Sequence, residues 1–129
     1  MKITSFGPLI MTNDAANVQK VFEELGFVKQ HEKKDVADTN HSGGFRMKDA
    51  EGHDVSIAYI NQIPRDMTAI RMNVDDFDEA MALLSAYGFK NMRGEGNVID
   101  TGSSKTAVMV SPSGFAINVV YHVKADERR

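Results

Sequence analysis

The chain contains no cysteine. Disulfides, thiolate metal sites and a cysteine nucleophile are therefore excluded. It also has little charge of either sign in excess, with a formal net charge of −3. That balance gives no electrostatic reason to expect DNA, RNA or an anionic membrane as partner, and it is only mildly permissive for a cationic ligand. No apolar run approaches the roughly 18 residues that a membrane span needs. The opening stretch, from Met1-Lys2-Ile3 to Gly7-Pro8, has no signal-peptide core. The expectation is a cytoplasmic protein with neither nucleic acid nor membrane among its partners. What remains is ordinary globular material: 129 residues, 42% apolar and 26% charged, enough for one domain with a real core.

The chain repeats itself. Asp14 returns as Asp76, Gly26-Phe27 as Gly88-Phe89, Met47 as Met109, Gly52 as Gly114 and Tyr59 as Tyr121, always 62 positions later and without a gap. Val36, Asp38, Thr39 and Ser42 recur at the same interval as Val98, Asp100, Thr101 and Ser104. A fixed offset that preserves helix, turn and strand signals marks a duplicated structural unit. In the first copy Asn13 or Asp14 caps a helix whose face carries Ala15, Val18, Phe22 and Leu25. In the second, Asp75 or Asp76 caps, with Phe77, Ala80, Leu84 and Tyr87 in the same phase. Gly26 and Gly88 fall where a left-handed residue ends each helix.

Strands are predicted before the helices at Ile3 to Met11 and Thr68 to Val74. Those after the first helix are Phe27 to Glu32, Gly44 to Lys48 and Asp54 to Ile60. The second copy repeats them at Phe89 to Arg93, Thr106 to Val110 and Phe115 to Tyr121. Lys48 to Gly52 and Ser111 to Gly114 have the composition of hairpin turns. Asp38-Thr39 and Asp100-Thr101 also read as turn chemistry, because both copies keep them. The stretch His41-Ser42-Gly43-Gly44 suggests a mobile loop, but it lacks the Gly-Lys-Ser/Thr ending of a phosphate loop. The reading is one cooperative domain over residues 1–123, with modules 1–61 and 63–123 and a charged, frayed tail at 124–129.

Paired β-α-β-β-β modules resemble the vicinal oxygen chelate superfamily, which includes glyoxalase I, the extradiol dioxygenases and the bleomycin and fosfomycin resistance proteins. The stretch from Ser111-Pro112-Ser113-Gly114 to Asn118-Val119 is similar to that group's final hairpin, and Asn73-Val74-Asp75-Asp76 to its entry into the second helix. The resemblance covers nearly the whole chain. It implies an α+β fold: two tandem βαβββ modules forming mixed, strongly curved sheets with helices outside. It also implies a homodimer in which the partner helps to close the cups. In metal-dependent members, His, Glu or Gln side chains on the first and last strands of each module hold a divalent cation, which acts as a Lewis acid on a chelating substrate.

Carried to this chain, those positions are Gly7, Ser56, Ala69 and Asn118, with Asn118 where the pattern has Glu. None is a good metal ligand. A slip of one residue flips each strand to its apolar side. A slip of two brings in Ser5, Asp54 and Arg71 without forming a cluster. His122 shares a face with Asn118 but lies about 13 Å along the strand. His31, His41 and His53 fall at a strand end, in a loop and beside a turn. No cofactor is expected, and a divalent metal is the alternative.

On the concave face this leaves apolar walls, among them Leu9, Met11, Ala58 and Val120, and polar handles at Arg71, Asn118, Ser56, His122 and Asn73. Arg71, flanked by Ile70 and Met72, suits a carboxylate, phosphate or enolate by paired hydrogen bonds. A rim ion pair is its plainer explanation. Asn118 can bond a ligand or satisfy nearby backbone. His122 can be an acid or base, or a rim residue. Met11 and the other methionines form either an adaptable wall or core filling. The expected function is binding of a small organic molecule by a protein lacking the superfamily's metal site. The alternatives are a metal-dependent lyase, isomerase or dioxygenase, and a non-catalytic binding or regulatory module. No catalytic residue is assigned.

Overall fold

A computed structural model describes residues 1–30 and 42–122. They form β1 (Ile3–Thr12), α1 (Ala15–Glu24), β2 (Val28–Lys29), β3 (Ser42–Lys48), β4 (Asp54–Ile60), β5 (Met67–Val74), α2 (Phe77–Ala86), β6 (Lys90–Asn91), β7 (Ile99–Asp100), β8 (Ser104–Val110) and β9 (Ala116–His122). The interval of the sequence repeat is also the interval of the structure. The helices, β3 and β8, and β4 and β9 begin 62 residues apart and have equal lengths. The Asp38-Thr39 turn, His31, His41 and the tail at 124–129 lie outside the described residues.

Both helices start where the aspartates dictate. The Asp14 carboxylate accepts the Asn17 N–H at 3.3 Å, and Asp76 accepts that of Glu79 at 3.0 Å. Each such cap contributes about 1 kcal/mol. Both helices stop at a glycine of positive φ, Gly26 at 100° and Gly88 at 90°. The next N–H then turns back, from Phe27 to the Phe22 carbonyl at 2.9 Å and from Phe89 to that of Leu84 at 3.1 Å.

The chain packs as two units. In Gly7–Ala69 the strand order is β2-β3-β4-β1. Strand β4 runs parallel to β1, with Leu9 beside Ser56 and Met11 beside Ala58, and antiparallel to β3, with Arg46 beside Ser56. The core under α1 joins Met47, Val55 and Ile57 to Ile10, Ala15, Val18 and Phe22. Met47 and Ile57 are 0% exposed.

The other unit holds Met1–Phe6 and the chain from Ile70 onward, with strand order β5-β9-β8-β6 and β7 along β8. Its core under α2 joins Met72, Val74, Ala107, Met109 and Val119 to Phe77, Ala80 and Leu84. The first residues of the chain are tied here. The Lys2 N–H donates to Asp75 Oδ1 at 2.6 Å, the Asp75 N–H to the Lys2 carbonyl at 3.1 Å, and the terminal ammonium pairs with Glu79 at 3.1 Å.

The expected elements are present with shifted ends. Strands β2 and β6 have two residues each, and β3 and β8 begin earlier than predicted. The short strand β7 was not expected. Asp100 pairs with Lys105 across a tight hairpin, while its side chain accepts the Gly102 N–H at 2.9 Å, so the same residue ends a strand and closes a turn. No described helix is long and apolar enough to cross a membrane.

The β3–β4 turn is closed by Asp49. Its Oδ1 accepts the N–H groups of Glu51 and His53 at 3.0 and 2.8 Å, and its Oδ2 lies 2.9 Å from His53 Nδ1. The His53 hydrogen bond, above all, holds the Asp49 carboxyl below its ordinary value of 3.8. A depressed folded-state value stabilises the fold above the unfolded value, and that contribution disappears as pH falls through the folded one. Asp49→Asn should therefore flatten the acid limb of stability, measured by thermal melts from about pH 2 to pH 7.

The two helix-ending glycines give a second, internally controlled prediction. An alanine methyl at Gly26 meets nothing within 4 Å, whereas at Gly88 it lies 2.9 Å from Pro112 Cγ. Gly26→Ala should cost roughly 1–2 kcal/mol for the left-handed backbone alone. Gly88→Ala should cost clearly more, as compared by urea midpoints.

Candidate functional site

Helix packing decides which strand face is left for chemistry. Side chains alternate along a strand. In the unit from Ile70 onward, Met72, Val74, Ala107, Met109, Ile117 and Val119 turn toward α2. Arg71, Asn73, Thr106, Val108, Asn118, Val120 and His122 therefore share the opposite face. Four of the six predicted binding residues, Arg71, Asn73, Asn118 and His122, are brought together on this one face.

Each has a distinct environment. Arg71 is half-buried, and its Nη1 donates to Ser5 Oγ at 3.3 Å. Asn73 is 8% exposed, and its Oδ1 is a buried acceptor with no hydrogen-bond partner. Asn118 donates from Nδ2 to Thr106 Oγ1 at 2.8 Å and to the Ala107 carbonyl at 3.3 Å. Its amide nitrogen thus ties β9 to β8. His122 is exposed at the end of β9.

The other two predicted residues lie in the Gly7–Ala69 unit. Ser56 is half-buried on the face of β4 turned from α1, beside Leu9 and Arg46. Met11, next to Ala58 on that face, is only 1% exposed. Sequence reasoning missed Arg46, Thr106 and the role of Ser5. Arg46 and Thr106 enter through strands β3 and β8, whose antiparallel registers place them beside Ser56 and Val120. The hairpin turns at Asp49 and Ser111 were the available signal for those registers.

A metal of the superfamily type does not fit the four corresponding positions. Gly7 and Ala69 have no donor side chain, and the Asn118 amide nitrogen is engaged with Thr106 and Ala107. A side chain at Gly7 would also meet Asp54 Oδ1, 3.2 Å from the position of its Cβ. Among the described residues, no three His, Cys, Asp or Glu side chains form a group able to hold an ion. An open cleft of about 240 Å³ lies elsewhere, lined by Asp75, Asp76, Phe77, Asp78, Lys105 and Tyr121. Its acidic wall serves the fold, since Asp76 caps α2 and Asp75 holds Lys2.

Neither a protein-family model nor a curated protein sequence matches the chain. Solved structures do. A methylmalonyl-CoA epimerase aligns at TM-score 0.59 and 18% identity, covering 92% of this chain and 94% of that one. A glyoxalase/bleomycin resistance protein/dioxygenase superfamily member from Vibrio splendidus 12B01 aligns at TM-score 0.58 and 15% identity, covering 93% and 99%. The chain has the vicinal oxygen chelate fold. A third structure of this fold, described as an NAD-dependent benzaldehyde dehydrogenase from Legionella pneumophila, aligns at TM-score 0.61 and 11% identity, covering 92% and 100%. The names attached to the vicinal oxygen chelate fold thus differ widely, and the fold alone assigns no reaction.

The two bonds from Asn118 define its part in this fold. Asn118→Ala should destabilise the protein by about 1 kcal/mol through loss of the β8–β9 tie. Thr106→Val should give a similar loss, and the double variant should fall short of the sum in a denaturation cycle.

Proposed function

We propose that the protein binds a small organic molecule, without a metal ion, on the strand face turned away from α2. The observation that carries this reading is a departure from the repeat. Where the first module has Leu9, Met11 and Ser56, the second has Arg71, Asn73 and Asn118. The same strand position is packed by Leu and Met in one copy, so the fold does not require a guanidinium and an amide in the other. Polar groups on a largely buried strand cost stability unless they are fully paired. Arg71 and Asn118 have protein partners, whereas the buried Asn73 oxygen has none among the described residues, and a ligand would account for that one acceptor. The names of the structural neighbours, which point to methylmalonyl-CoA, bleomycin and benzaldehyde, support a small molecule as the class.

Arg71, Asn73, Asn118 and His122 are the proposed contacts on this face, and Ser56 and Met11 are proposed contacts on the face of the Gly7–Ala69 unit turned from α1. The same reading takes the protein as a cytoplasmic homodimer, and sedimentation velocity checks the assembly. The binding test is a thermal-shift screen of small organic molecules with and without chelator, together with dialysis against Zn²⁺, Ni²⁺, Mn²⁺ and Fe²⁺. Stabilising compounds should keep their effect in chelator, and bound metal should stay well below one equivalent. One tightly held equivalent, lost on replacing Ser56 or Asn118, would overturn the proposal.

A further inference from the structure

We draw no further inference here: the strongest candidate, the exposed apolar patch of Leu83 and Tyr87 at the C-terminal end of α2, carries nothing because nothing in the structure shows what covers it.

Discussion

The burial of Ile57 under α1 and of Val119 under α2 sets the phase of every strand around them. Both are 0% exposed, and they are the same residue position in the two copies of the repeat. Burying a branched aliphatic side chain of this size contributes about 1.5–3 kcal/mol. A one-residue slip would trade each for a polar neighbour, Ser56 or Asn118. With the phase held so firmly, the alternate residues have no choice of side. Arg71, Asn73 and Asn118 face away from the helix because Met72 and Val119 face toward it. The candidate site follows from core packing.

The duplication supplies its own reference for what the fold requires. Positions that agree between copies serve architecture: Asp14 and Asp76 cap, Gly26 and Gly88 end the helices, and Met47 and Met109 fill the cores. Positions that differ in polarity on the helix-free face show where the second copy departs from the packing of the first. Leu9 against Arg71 and Met11 against Asn73 are the sharpest, since the first-module pair shows what packing alone selects. The unpaired oxygen of Asn73 marks where the second copy departs furthest from that demand. Departures from local consistency of this kind collect at functional sites.

Most of the fold was legible because its signals are local. A capping aspartate, a four-residue apolar rhythm and a terminal glycine lie within one helix length. Strand β4 was bounded correctly, Asp54 to Ile60, by a turn on one side and a proline-containing connection on the other. Strand β7 was missed because its two residues, Ile99 and Asp100, lead directly into a turn whose composition masks them. The site was legible only by face. Arg71 was recognised as inward from its neighbours, but its partner Ser5 is 66 residues away. The Asn118–Thr106 bond depends on a hairpin register that a side-chain list does not contain.

The sequence by itself determined the duplicated β-α-β-β-β architecture and the helix boundaries. Each is a matter of residue identity at a fixed spacing, and spacing survives without coordinates. Only the tertiary structure decided which polar groups are already paired. It engaged the nitrogen of Asn118 with Thr106 and Ala107, left the oxygen of Asn73 buried without a donor, and grouped the first six residues with the second module. Hydrogen-bond satisfaction and burial belong to groups distant in the chain, so they exist only once the strands have come together.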